Sequence, residues 1–108
     1  MTGQKALVAS TLNLLASDAS SANGTDICKN VLASSMRATL NKVGSCATII
    51  TNQLKTIDDF TLTIESIKLA GSAASARVQT ERSGAKVIQT VSLAHQPAGW
   101  RIAAISAI

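Results

Sequence analysis

The sequence predicts an α+β fold in which three N-terminal helices pack on a curled, four-stranded antiparallel sheet. Up to about residue 55, apolar residues recur at the helical period of about 3.6. From about residue 60 onwards, apolar and polar residues alternate at the strand period of two. Short turn signals separate the alternating segments, which is typical of strands joined as a meander. We therefore expect the helices on one face of the sheet.

The composition is that of one small globular domain. Of the 108 residues, 46% are hydrophobic and only 2% are aromatic. Small aliphatic side chains must therefore build the core, and each of them buries little area. We expect a modest stability that a disulfide bond would raise. No signal-peptide pattern follows Met1. If the protein is exported, we therefore expect residues 1–108 to be a single domain excised from a longer chain with an upstream signal or anchor.

The charge pattern argues against nucleic-acid binding. The net charge is +4, but the lysines are spread along the chain without a basic run and without aromatic residues among them to stack on bases. No stretch approaches the roughly 18 apolar residues of a membrane span. We therefore predict neither a nucleic-acid partner nor a transmembrane segment within this sequence.

The first two helices are predicted over about residues 3–17 and 26–37. Thr2 is the expected N-cap of the first. The second follows the turn signal Asn23-Gly24 and takes Thr25 as its expected N-cap. Asn23-Gly24-Thr25 also matches the pattern for N-glycosylation, but a turn and a cap explain the same residues, and we favour that interpretation.

A third helix and the strands follow. Gly44 is a stop signal, and Ser45 is the expected N-cap of a helix over about residues 46–55. The first strand changes the parity of its apolar residues near Glu65-Ser66, which predicts a β-bulge that bends it. The remaining predicted strands cover about residues 74–79, 86–93 and 100–105.

The turn at residues 96–99 sets the register of the last two strands. The expected opposed pairs are His95 with Trp100, Leu93 with Ile102, and Val91 with Ala104. This row should face the helices.

Four short motifs, in this order and spacing, carry a resemblance to a known superfamily. They are Leu14-Leu15-Ala16-Ser17-Asp18, Ile27-Cys28-Lys29-Asn30-Val31-Leu32, Gly44-Ser45-Cys46-Ala47 and Gly99-Trp100-Arg101-Ile102. Together they span nearly the whole chain, which resembles the nuclear transport factor 2-like (cystatin-like cone) superfamily, and in particular its small extracytoplasmic members from actinobacteria. The resemblance implies a cone-shaped scaffold with a pocket, a scaffold that serves many functions.

Cys28 and Cys46 lie 18 residues apart. They are either bonded to each other or two buried thiols of a cytosolic protein. The resemblance and the small, Ala-rich core favour a disulfide, which would place the domain outside the cytoplasm. A metal site needs three or four ligands, and only His95 could join the cysteines, so we predict no metal site.

No catalytic or cofactor-binding residue is predicted. His95 is the only histidine, and a general base needs an orienting carboxylate, which the predicted inner row of the last two strands lacks. We interpret His95 as the cross-strand partner of Trp100. Asp58-Asp59 enter a strand with side chains on opposite faces, so we interpret them as turn residues.

The resemblance suggests a pocket, and we predict which side chains would line it. They are Met36, Leu93, His95, Trp100 and Ile102. The alternative is that the apolar members form the core under the first helix, as apolar residues that face helices usually do.

The predicted function is a non-enzymatic extracytoplasmic binding or interaction domain of the cell envelope, secreted or anchored, which holds a small apolar ligand in the cone. Its partner would otherwise be an envelope protein. The first alternative is an assembly component of an envelope transport or secretion complex. In that case the outer face of the sheet would pair with itself, as a homodimer, or with another protein through Arg77, Gln79, Lys86, Ile88, Thr90 and Arg101. The second alternative is an enzyme of the isomerase or dehydratase type.

Overall fold

Helices and strands are segregated along the chain, as the change of hydrophobic period predicts. The computed structural model describes residues 3–55, 60–82, 84–97 and 99–107. The helical elements are α1 (Gln4–Ser20), α2 (Gly24–Asp26), a π-helical turn (Ile27–Val31), α3 (Ser34–Asn41) and α4 (Cys46–Leu54). The strands are β1 (Thr61–Ala70), β2 (Ala73–Arg82), β3 (Ala85–Gln96) and β4 (Gly99–Ala107). None of the described helices is both long and apolar enough to cross a membrane.

The strands form an antiparallel meander in the order β1-β2-β3-β4, which confirms the predicted α+β class. The predicted bulge in β1 is confirmed, because the pairing with β2 skips Glu65 between Ile64 and Ser66. The extra residue moves the apolar side chains to the other parity and bends the strand. The change of parity in the sequence of β1 therefore accounts for part of the curl of the sheet.

The predicted register of the last hairpin is only partly right. His95 pairs with Trp100 and Leu93 with Ile102, as predicted, but Val91 pairs with Ile105 instead of Ala104. The register shifts between Ser92 and Leu93, which makes a bulge in β4. That extra residue turns the larger apolar side chain of Ile105, rather than that of Ala104, towards the concave face.

The prediction of one continuous second helix was wrong. After the π-helical turn the chain is extended at Leu32 and Ala33, and α3 begins afterwards. Leu32 forms a parallel bridge with Ile102, and the Ala33 N–H donates to the Ile102 carbonyl at 2.8 Å. β4 is an edge strand, so its backbone groups need partners. Pairing with this edge replaces the continuation of the helix.

Two predicted caps were also wrong. Asn23, not Thr25, caps α2, because its side-chain oxygen accepts from the Asp26 N–H at 3.1 Å. Ser45 stands at the N-cap position of α4 without a side-chain capping bond, and Asn41 Oδ1 accepts from the Cys46 N–H instead. Thr2 lies outside the described residues, and Gly3 precedes α1.

The core lies between the concave face of the sheet and the helices. Leu12 of α1, Val31, Val78 and Ile102 are completely buried or nearly so. Trp100 is 3% exposed, and its Nε1–H donates to Gln4 Oε1 at 2.6 Å. The hydrogen bond holds the start of α1 against the start of β4.

The disulfide between Cys28 and Cys46 is present, as predicted. It joins the π-helical turn to the first residue of α4, and both cysteines are buried. The bond therefore ties together two short helical elements, of 5 and 9 residues.

Gly24 allows α2 to lie directly against α4. Its N–H donates to Thr51 Oγ1 at 3.1 Å. A Cβ atom on Gly24 would lie 2.6 Å from both the Ala47 carbonyl oxygen and the Thr51 nitrogen, closer than real Cβ atoms come. The turn signal in the sequence thus also marks a close contact between two helices.

We expect Gly24→Ala to lower the free energy of unfolding by about 2 kcal/mol or more, because the added methyl group pushes the two helix backbones apart. Gly44→Ala is the matched control, since its methyl group would meet only the Ile49 side chain at ordinary contact distance. Urea denaturation of both variants measures the difference. Equal stabilities for the two variants would contradict this packing.

We expect the Cys28→Ala/Cys46→Ala double variant to lose about 3 kcal/mol, the entropy estimate for a loop of this length. Guanidinium denaturation of the oxidised protein and of the double variant measures the loss. Adding a reductant should move the wild type to the midpoint of the variant and leave the variant unchanged. A reductant effect on the variant would show that the wild-type shift has another cause.

Candidate functional site

A cavity of about 540 Å³ opens between the concave face of the sheet and the helices. This volume lies within the roughly 300–1,000 Å³ that is usual for small-molecule sites. Helices and strands both contribute to an apolar lining, which includes Leu15, Met36, Ile50, Leu62, Val78 and Val91. The site is thus built from the inward-facing row of the sheet and the apolar faces of the helices above it.

Two polar side chains interrupt the sheet side of this lining. Thr80 on β2 is only 3% exposed, and its hydroxyl donates to Gln89 Oε1 on β3 at 3.0 Å. Gln53 of α4 is the third polar residue among the described residues that line the cavity, and none of them is charged. The cavity therefore offers a large apolar volume with hydrogen-bonding groups at one place on its floor.

Of the five residues predicted to line a pocket, only Met36 contacts the cavity. Leu93, Trp100 and Ile102 belong to the packed core. His95 is exposed, and its ring lies 5.0 Å from that of Trp100 between centroids, tilted by 43°. The prediction placed the pocket too close to the last hairpin. α1 packs on that end of the sheet and fills it, and the space remains towards the other end.

The prediction missed Thr80 and Gln89, although the sequence carries a signal for them. Thr80 follows Val78 by two residues, and Gln89 stands between Val87 and Val91. Both therefore belong to the row of side chains that faces the core, where a polar side chain costs free energy unless it is hydrogen-bonded. The signal is weak on its own, because only the fold shows that the two residues meet.

The residues considered for catalysis or metal binding do not come together. Within the described part of the chain, no carboxylate bonds to the exposed His95, and no three potential metal ligands are grouped. Cys28 and Cys46 are joined in the disulfide. Asp58 and Asp59 lie outside the described residues.

A buried carboxyl group, that of Asp18, directly precedes a residue of the cavity lining, Ala19. Asp18, near the end of α1, is 7% exposed, and burial together with the hydrogen bond and charge of Asp26 raises its pKa from 3.8 to about 6. The hydrogen bonds from Asp18 and Asn30 lower the pKa of Asp26. Below about pH 6 a proton shared by the two carboxyl groups therefore resides mainly on Asp18. The resemblance pointed to Asp18 as part of a motif but not to this role.

This pair predicts an unusual pH dependence of stability. Folding raises the pKa of Asp18 above its unfolded value of 3.8, so the folded state binds the proton more tightly. The contribution of Asp18 to the free energy of unfolding is complete below pH 3.8 and is lost as the pH rises to about 6. The lowered pKa of Asp26 has the opposite effect on stability. Its contribution to the free energy of unfolding is present above the unfolded pKa and is lost as the pH falls through the lowered pKa.

We expect Asp18→Asn, which is always neutral and can still donate to Asp26, to remove most of that loss. At about pH 7.5 the variant should be about 1–3 kcal/mol more stable than the wild type, and at about pH 4.5 the two should be nearly equal. Urea denaturation at both pH values measures this. Glu65→Gln, which changes an exposed carboxylate, is the control. An Asp18→Asn variant less stable than the wild type at both pH values would refute the assignment.

The fold is similar to that of solved structures, whereas no family model and no curated protein sequence matches the chain. A crystal structure from Silicibacter pomeroyi, described as an NTF-2 like protein of unknown function, superimposes with a TM-score of 0.70 at 11% sequence identity. The match covers 97% of this chain and 96% of that one. It confirms the superfamily resemblance at the level of the fold: the chain has the nuclear transport factor 2-like fold.

A de novo designed protein with a curved β-sheet is also similar, at 11% identity and a TM-score of 0.48, over 57% of this chain and 59% of its own.

Proposed function

We propose that this nuclear transport factor 2-like domain is a non-enzymatic binding domain that holds a small, mainly apolar molecule in its cone. The observation that carries the proposal is the apolar cavity of about 540 Å³ between sheet and helices. An apolar cavity of this size leaves side chains without packing partners, which disfavours the folded state. An occupant that fills it restores those contacts and stabilises the fold through its own binding.

The scarcity of aromatic residues is consistent with space inside the cone. The only tryptophan fills the end of the cone near the β3–β4 turn, under α1, whereas the described lining of the cavity is mainly aliphatic and includes one aromatic residue, Phe60. At Ala19, Val78 and Val91, larger side chains would fill part of that space. The lining is therefore compatible with an occupant.

The chemistry of the lining supports binding rather than catalysis. The polar side chains among the described lining residues are a hydroxyl and two carboxamides. Such groups orient a ligand by hydrogen bonds, whereas proton transfer near neutral pH needs a group that titrates there. The imidazole of His95 is exposed beside Trp100, away from the cavity.

The disulfide supports a location outside the cytoplasm. Such bonds persist in oxidising compartments and are rare where thiols are kept reduced. We therefore propose a domain of the cell envelope, secreted or tethered. Pairing through the outer face of the sheet stays a prediction.

We expect the wild type to bind the neutral fluorescent probe N-phenylnaphthylamine saturably. Ile50→Trp, which enlarges a side chain of the cavity lining, should weaken that binding about tenfold or more by filling the space. A fluorescence titration measures both.

Ile88→Trp is the matched control, because Ile88 has the opposite parity on β3 and does not line the cavity. It should bind the probe like the wild type. Equal loss in both tryptophan variants, or the absence of saturable binding to the folded wild type, would refute the proposal.

A further inference from the structure

We propose that the ligand of the cavity is a neutral, lipid-like alcohol, with an aliphatic body and one hydroxyl head group anchored by Thr80 and Gln89. This inference rests on the proposed binding function and adds the chemical class of the ligand. It is carried by a hydrogen-bonded polar pair, Thr80 and Gln89, on the inner face of the sheet.

The pair lies on neighbouring strands at the floor of the cavity. Thr80 is opposite Val87 and Gln89 is opposite Val78, so the two polar side chains meet on the diagonal. Thr80 Oγ1 donates to Gln89 Oε1 at 3.0 Å, and both residues line the cavity. Their side chains therefore present polar atoms to the same part of an otherwise apolar wall.

Hydrogen bonds within the sheet offset the cost of burying this pair, because Thr80 Oγ1 donates to Gln89 Oε1 at 3.0 Å and also lies 3.5 Å from the Val87 carbonyl oxygen. Replacing both partners of such a pair by apolar residues of the same shape is commonly close to neutral for stability. The neighbouring inward positions Val78 and Val91 are indeed apolar. A polar pair at the floor of the cavity is therefore best explained by what enters the cavity.

The hydrogen-bonding capacity of the pair selects the head group. The Thr80 hydroxyl gives its proton to Gln89, and its oxygen retains acceptor capacity that a donor on the ligand can use. A hydroxyl can donate to that oxygen and can also accept a hydrogen bond, whereas an ether or a ketone can only accept. A carboxylate can only accept, and it would lose its hydration beside a lining in which the described residues carry no cation. These two restrictions together favour an alcohol.

Three ligands of equal chain length test the proposal: decanol, decyl methyl ether, which lacks the donor, and decanoate, which carries a charge. Each is titrated against the wild type with bound N-phenylnaphthylamine, and the displacement gives its affinity. We expect decanol to bind about tenfold more tightly than the ether, the effect of about one additional hydrogen bond, and decanoate to bind more weakly than decanol.

Thr80→Val keeps the shape of the side chain and removes the hydroxyl. It should weaken decanol about tenfold and leave the ether within about twofold. Thr80→Ala, which also removes the hydroxyl, provides a second variant with the same expectation for the ratio of the two affinities, and this keeps the test valid if one of the two does not fold. Thr63→Val is the matched control, because Thr63 is an exposed threonine of β1, and it should change neither affinity.

The failure of this inference is distinguishable from that of the proposed function. If the probe binds but decanol and the ether bind equally, or decanol is unaffected in both folded variants, the alcohol anchor is wrong while the binding function stands. If decanoate binds best, the ligand class is an acid and the inference is likewise overturned. If the folded wild type binds no probe, the proposed function fails and the inference falls with it.

Discussion

The pairing of Leu32 and Ala33 with Ile102 is the contact on which the rest of the architecture depends. It joins the helical layer to the edge strand through a parallel bridge and a 2.8 Å backbone hydrogen bond. Because the chain must be extended to make it, the second helical region divides into a π-helical turn and α3. The same division brings Leu32 and Met36 to the cavity wall. One backbone contact thus closes the cone and shapes the site.

The remaining contacts of the helical layer divide the cone into a filled end and an open end. At the filled end, Trp100 packs under α1 and bonds to Gln4, while its carbonyl accepts from Thr11 Oγ1 at 3.0 Å. At the other end, the disulfide and the close approach of Gly24 to α4 hold short helices over the sheet. These ties do not depend on a large packed core. The layer can therefore stay in place above a cavity.

Two of the buried polar groups in the described part of the chain are associated with this cavity. Thr80 lies on its floor with Gln89, and Asp18 directly precedes Ala19, which lines the wall. Each is disfavoured by burial in isolation and is stabilised by a neighbour at hydrogen-bonding distance. Proteins keep such groups mainly where function or specificity requires them. Their position around one cavity is consistent with a single site of binding.

The sequence by itself determined the features that depend on neighbours along the chain. The α+β class, the meander, the bulge at Glu65 and the pairing of His95 with Trp100 all follow from hydrophobic period, parity and turn length. Predicting the disulfide also required the family resemblance, because the presence of two cysteines does not show whether they are bonded.

Only the tertiary structure decided the features that depend on distant contacts. The break at Leu32, the bulge that selects Ile105 and the place of the cavity are set by which edge, helix or sheet end each segment meets. Thr80 and Gln89 carry the parity of the inner face in the sequence, but their meeting depends on the register of β2 and β3. The physical reason is that local period decides which face a residue takes, whereas the competition for backbone partners and space decides what that face contacts.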